Sequence, residues 1–552
     1  MRNSLLSVLI AGAAVGVCAF AQTEELAPAP QNASGVVFHD ANGNGVRDEG
    51  EEGLAGVRVS NGREVILTNQ EGRYELPVDD DTILFVVKPR NWMTPVDGDN
   101  LPRFYYIHKP AGSPKTHFPG VEPTGPLPAS VDFPLVPRAE PDSFKLLLFG
   151  DTQPRDVKEV EYIAHDVIEE VVAAGAHGAA LGVTLGDIVF NDLSVIEPLK
   201  KVVGLVGIPW YNVLGNHDMN FDADDDKYSD ETFERHYGPS YYSFDHGPVH
   251  FVVLDDVIWL PDGAEPAKNA AKAKAKPKQK QKQKGRYVGG LGEKQLEFLR
   301  NDLSATPKDQ LVVLMMHIPL NTIQPQDREA VYRLLEERPR SLSLAAHTHT
   351  QTHRFLGEAD GFRGAEPHHL LVHATVCGSW WSGAPDETGI PHATMADGAP
   401  NGYSVITFDP GRYDIQFHAA RRGPDYQMNI HAPEETTADL APAVDVVVNV
   451  FAGSERSTVE MRLGDSGPWR PMTRTHAEDP YFLDMKTLED GPTPPPGRKL
   501  PVPKKSPHVW KAKLAAEPPS PGTYFIHVRT TDMFGKTHAD QRAIRITETA
   551  QP

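Results

Sequence analysis

Lys145-Leu146-Leu147-Leu148-Phe149-Gly150-Asp151-Thr152-Gln153 decides how the middle of this chain folds. The run from Lys145 to Phe149 reads as a buried strand, and its glycine turn delivers a carboxylate and an amide. Helical text follows, with Val157, Val160, Ala164, Val167, Ile168 and Val171 recurring on one face at 3.6-residue spacing. Asp156 and Glu159 stand as N-cap and N3 of a capping box, and Gly175 can end the helix. The same grammar continues downstream. Strands are predicted at residues 179–185, 210–214, 249–254, 311–316 and 341–346, with helices at 293–303 and 328–337. Strands alternating with helices predict a layered α/β domain.

The polar residues gather where these strands end. After Asp151 and Gln153 come Gly186-Asp187, Gly215-Asn216-His217-Asp218, Met316-His317 and Ala346-His347-Thr348-His349. In open α/β sheets, ligands bind beyond the carboxyl ends of strands. Carboxylate, amide and imidazole donors together suit Fe, Mn or Zn better than a thiolate-seeking metal. Asp151 and Gln153 are two residues apart, as are His347 and His349. In extended chain each pair points to one side. A lone Gly-Asp turn or a lone histidine would mean little; five such strand ends in this order are specific.

The ordered set D-x-[HQ], G-D, G-N-H-[DE], H and [GA]-H-x-H resembles the calcineurin-like metallophosphoesterase family over roughly residues 144–408. The flanking text resembles a secreted bacterial branch of it. The resemblance implies an α/β core built as a four-layer α-β-β-α sandwich, with an N-terminal all-β domain and a C-terminal β-sandwich. It also implies two divalent or trivalent cations. One would be held by Asp151, Gln153, Asp187 and His349, the other by Asp187, Asn216, His317 and His347, with Asp187 bridging. Water activated between two such cations attacks phosphorus in line, so no serine or cysteine nucleophile is needed. His217 then resembles the family's general acid, with Asp218 orienting its imidazole. Gln153 stands where many members carry His, and Ala346 where Gly is usual. The competing reading is a non-catalytic surface or adhesion module that retains a metal site. The complete ligand set favours the enzyme.

Two further clusters invite a reading. Gly378-Ser379-Trp380-Trp381 and the stretch through Asn401 are dense in glycine, aromatic and polar residues. They read either as a substrate loop, with Trp380 or Trp381 stacking on an organic group and Asn401 hydrogen-bonding it, or as a structural loop. Near the N-terminus, Asp40, Asn42, Asn44, Asp48 and Glu51 have the spacing of a calcium loop. Strand-like text precedes it, so it resembles the calcium loops of bacterial surface repeats more than a helix-flanked one. Calcium there would be structural.

Composition bounds the rest. A formal net charge of -21 argues against nucleic-acid partners, leaving a small-molecule or envelope-derived phosphoester as the expected substrate. Arg2, the apolar run 5–17 and Ala19-Phe20-Ala21 read as a signal peptide over residues 1–21. No transmembrane segment is expected after its cleavage, and the product is expected to be periplasmic or secreted. The mature chain would keep only Cys377 and so no internal disulfide. The domains expected are 35–137, 143–424 and 425–548. A Lys-, Ala- and Gln-rich insert at 264–285 should be disordered.

Overall fold

The computed structural model describes residues 31–263 and 285–548. The expected signal peptide and nearly all of the expected insert lie outside the described residues. The α/β core carries two sheets. In the first, the Phe144–Phe149 strand lies between Leu181–Thr184, its parallel neighbour, and Gly402–Asp409, which runs antiparallel. Trp210–Asn212 and Arg412–Ala419 form the edges. The second sheet orders its strands Tyr242–His246, Val249–Val253, Leu311–Met315, Ser341–Ala345, His368–Val372 and Thr352–Leu356.

Alternation along the first strand sets its packing. Leu146 and Leu148 join the cluster that includes Phe251, Val313 and Leu344 of the second sheet. Leu147 and Phe149 instead meet Val160, Ile163, Val167, Ile168 and Val171 of the helical segment. Burial of each such side chain contributes about 1.5–3 kcal/mol. Asp156 caps that segment by accepting from Glu159 N at 3.0 Å. The expected capping box is only half made, because Glu159 Oε2 accepts from Arg155 N instead. The helix also changes pitch: Val157–Ile163 passes through a π-turn at Ala164–Ile168 before Glu169–Ala173. Gly175, at φ 58°, follows its end.

Two β domains flank the core. At the N-terminal side, Gln31–His39 pairs antiparallel with Arg73–Val78 and parallel with Phe133–Pro137. The turn into Arg73–Val78 is held by Asn69, whose Oδ1 accepts from Glu71 N and Arg73 N. At the C-terminal side, a four-stranded and a five-stranded sheet enclose Val446, Val448, Met461, Trp510, Ile526 and Val528. One helix, Pro480–Glu489, departs from the all-β expectation there. Its signal was present in Asp479-Pro480: Asp479 accepts from Phe482 N at 2.7 Å, and proline suits the first helical position. No helix among the described residues is long and apolar enough to cross a membrane.

Candidate metal centre and active site

The strand-end loops of both sheets meet at one place. His317 Nε2 lies 3.2 Å from Asp187 Oδ1, 3.1 Å from Asn216 Oδ1 and 3.1 Å from His347 Nδ1. Alongside, His349 Nε2 lies 3.0 Å from Asp151 Oδ2. Both atoms are buried, and they stand within ion-pair distance of each other. The backbone fixes which imidazole nitrogens are bare. His317 Nδ1 donates to Leu185 O at 2.8 Å and His349 Nδ1 to Gly378 O at 2.5 Å. Both Nε2 atoms therefore point inward, as the outer hydrogen bonds of metal-bound histidines arrange.

The loops converge by a route that differs from expectation. Gln153, Asp187, His347 and His349 all have positive φ, between 43° and 66°. The two-apart pairs meet through left-handed turns, not along one side of an extended chain. Such strained backbone persists where surroundings over-determine it, and it clusters at functional sites. The motif glycines make room for it. A Cβ on Gly186 would lie 2.7 Å from the His317 ring, and one on Gly215 would lie 1.9 Å from Asp187 N.

Charge is concentrated here. Burial pulls His317 down, but Asp187 and Asp151 more than offset it and raise its pKa to about 10. His349, buried beside Cys377 and Asp151, also rises to about 10. Burial and the neighbouring His317 push His347 down to about 4. Two carboxylates and three imidazoles thus stay compatible only by holding protons on some of the rings. Cations coordinated by the same lone pairs displace those protons. The donor set fits a pair of borderline-hard metal ions. Gln153 is the least settled ligand: its Nε2 donates to Asp187 Oδ2 at 2.9 Å, and a half-turn of the amide would present Oε1 instead.

Comparison with protein families finds three models of one family along the chain. "N terminal of Calcineurin-like phosphoesterase" matches residues 41–121, "Calcineurin-like phosphoesterase" residues 144–351 and "C terminal of Calcineurin-like phosphoesterase" residues 371–538. The chain belongs to the calcineurin-like phosphoesterase family. It is a metal-dependent phosphoesterase, with N- and C-terminal domains flanking the α/β core. Among solved structures it is similar to a dimetal phosphatase from Danio rerio, at 15% identity and TM-score 0.34, covering 50% of this chain and 96% of that one. It is also similar to a purple acid phosphatase from yellow lupin (Lupinus luteus) seeds, at 10% identity and TM-score 0.35, covering 71% and 67%. Comparison with curated proteins returns no match.

Around the candidate metal ligands of this phosphoesterase, some expected roles change hands. Asp218 does not orient His217. Its carboxylate is taken by backbone N–H groups of Ile188, Val189 and Gly215 at 2.9–3.0 Å, which tie the Asp187 loop to the Asn216 loop. Asn191 holds the imidazole instead, with Oδ1 2.6 Å from His217 Nδ1. Phe190 stacks on the same ring at 4.6 Å. The signal for both was their place three and four residues after Asp187.

The glycine- and aromatic-rich loop also divides its labour. Trp381 is 2% exposed, packs against Tyr162 and belongs to the core, so it is no stacking platform. Asn401 is buried too, donating to Asp166 Oδ2 at 2.6 Å and to Val376 O at 3.0 Å. It braces the π-turn rather than a substrate. Trp380 alone reaches the centre, its indole 3.9 Å from the His349 ring.

In the N-terminal loop, Asp40, Asp48 and Glu51 do not bring their carboxylates together as a cation-holding group. Asp40 accepts from the N–H groups of Gly43, Asn44 and Gly45. Asp48 Oδ2 accepts from the amides of Asn42 and Asn44, and Glu51 from Ala41 N and Asp48 N. Besides Asp187, His317 and His347, one more group among the described residues could hold an ion, and it is already filled: Asp81, Glu231 and Glu234 surround Lys109 Nζ at 2.5–2.8 Å.

Proposed function

We propose that this chain hydrolyses a small phosphoester at a dinuclear metal centre outside the cytoplasm. One observation carries the reading: the inward lone pairs of Asp187, Asn216, His317 and His347, 3.1–3.2 Å apart around His317 Nε2. Asp187, Asn216, His317 and His347 would hold one cation, and Asp151, Gln153, Asp187 and His349 the other. When bound, such a pair lowers the pKa of water and neutralises phosphoryl oxygens.

The chain's own groups supply the rest. With Nδ1 donating to Asn191 Oδ1, His217 acts as the imidazolium: its Nε2 proton passes to the leaving oxygen, and the ring takes a proton back from solvent; burial lowers its pKa while Asp187 opposes that shift. Phe190 fixes the plane of that imidazole by stacking. The four-layer α-β-β-α order that the resemblance implies is supported by two sheets that share one apolar cluster. Calcium in the Asp40–Glu51 loop would stiffen the N-terminal domain and take no part in the reaction. The signal-like N-terminus supports a periplasmic or secreted location, where envelope-derived phosphoesters are the natural substrates.

Metal analysis and turnover on a phosphoester panel test the proposal. Protein reconstituted with Fe, Mn or Zn should bind two ions and cleave monoesters or diesters, and chelated protein should not. Two bound ions with no hydrolysis anywhere on the panel would overturn it.

A further inference from the structure

Trp380 and Trp381 are consecutive bulky residues with left-handed backbone, at φ 59° and 53°. Side chains of this size rarely hold that conformation unsupported. Trp381 is anchored by its buried indole. Trp380 is anchored through its carbonyl, which accepts from Arg155 Nη1 at 2.9 Å and from Arg498 Nη1 at 2.6 Å. Glu159 Oε1 lies 3.3 Å from both guanidinium groups and holds the pair together.

The two arginines come from different domains. Arg155 follows the Asp151–Gln153 turn and lies over Phe190, 4.3 Å from its centroid. Arg498 belongs to the proline-rich loop of the C-terminal domain, and its own carbonyl accepts from Gly383 N at 2.7 Å. The C-terminal domain therefore grips, from two sides, the loop that carries Trp380.

We infer that Arg498 is a positioning residue for substrate recognition: by holding the Trp380 carbonyl it keeps the indole beside His349 as a wall for the organic group of the phosphoester. The inference rests on the phosphoesterase reading above. It makes the C-terminal domain part of the specificity site without giving it a metal ligand. The preferred substrates would carry a flat or apolar group next to the phosphoryl group.

The test uses the full-length, metal-loaded protein with Arg498→Ala, Arg498→Lys and Trp380→Ala. Two esters with alkoxide leaving groups, 2-naphthylmethyl phosphate and ethyl phosphate, separate packing from leaving-group effects. Their methyl diesters replace them if wild type prefers diesters. Arg498→Ala should raise KM for the naphthylmethyl ester roughly fivefold, the scale of one aromatic contact. KM for the ethyl ester, kcat and metal content should not change. Trp380→Ala should lose the same preference for the naphthylmethyl ester, with no further loss of preference in the double variant, and Arg498→Lys should restore part of it. Acrylamide should quench tryptophan emission more in Arg498→Ala than in wild type, and this difference should vanish in a Trp380→Ala background.

An unchanged KM ratio between the esters, or equal changes in both, would overturn the role of Arg498. If metal-loaded wild type cleaves neither class of ester, the phosphoesterase reading itself has failed. The quenching comparison then still decides whether Arg498 positions Trp380.

Discussion

Asn191 Oδ1 sits 2.6 Å from His217 Nδ1, while the Asn191 N–H donates to the His217 carbonyl at 3.2 Å. One residue thus fixes both the ring and the backbone of the proposed proton donor. His217→Ala should keep both metals and lose about 10²–10⁴-fold in rate on alkyl esters, the usual contribution of general acid catalysis. Nitrophenyl esters, whose leaving groups scarcely need a proton, should lose less. Asn191→Leu should follow the same pattern more weakly. Metal analysis with a leaving-group series measures this. Loss of metal in His217→Ala would show that the residue is a ligand.

Asp187 faces three groups at once. Its Oδ1 lies 3.2 Å from His317 Nε2 and accepts from His217 N at 2.8 Å, and its Oδ2 accepts from Gln153 Nε2 at 2.9 Å. Asp187→Asn keeps one oxygen acceptor and removes the bridging charge. We expect a folded protein that holds at most one ion and is at least roughly 10²-fold slower, beyond what loss of an outer-shell partner costs. Plasma emission spectrometry and circular dichroism check it; two ions with normal turnover would refute the bridging role.

A buried network joins the N-terminal domain to the core. Arg58 reaches Asp245 at 2.6 Å and Asp302 at 3.2 Å, and His250 bridges the same carboxylates at 2.7 Å each. Burial lowers the His250 pKa, but Asp302 and Asp245 more than offset it, so it stands above its ordinary value. Asp245, despite burial, is held down to about 2 by His250 and Arg58. A raised histidine contributes stability that is complete below its unfolded pKa, about 6.5, and is lost as pH rises through its folded one. Asp245 contributes above its ordinary value of 3.8 and loses that contribution as pH falls through about 2. His250→Gln should therefore cost most at mildly acid pH, about 3–5 kcal/mol for stripping a buried charged partner, and less in alkaline buffer. Denaturant unfolding at the two pH values measures it. An equal penalty at both would mean that the folded imidazole is neutral.

The N-terminal loop offers a test of calcium. At about a hundredfold excess over Kd, a bound ion stabilises by about 2.7 kcal/mol. Calcium should raise the melting temperature of the wild-type chain, and Asp48→Asn or Glu51→Gln should abolish the rise. A melting curve indifferent to calcium would leave the loop as an Asn- and Gly-rich turn held by its own hydrogen bonds.

The candidate metal ligands were legible in the sequence because most stand directly at the end of an apolar run that reads as a buried strand. Asp151, Asp187, Asn216, His317 and His347 needed no long-range information beyond the rule that such ends share one edge of an α/β core. The helix opening at Asp156 was legible for the same reason, since a cap is a local hydrogen bond. Neighbours in sequence were harder to sort. Trp380 faces His349 while Trp381 enters the core, and left-handed backbone at both breaks any alternation that spacing could predict. Asp218 likewise spends its oxygens on three amides from two loops, a choice that exists only once those loops are side by side.

Local pattern alone determined the strand-ending donors, the capped helix and hence the donor set of the candidate metal site, because those depend on burial and hydrogen bonds within a few residues. Tertiary structure alone decided which neighbours serve that chemistry. Asn191 took the orienting role assigned to Asp218, Asn401 became a brace for Asp166, and Arg498 came from more than a hundred residues away to hold Trp380. The physical reason is directionality: a metal ligand needs only to arrive at the site, whereas a hydrogen bond needs a partner within about 3 Å at the right angle, and only the packed fold supplies that.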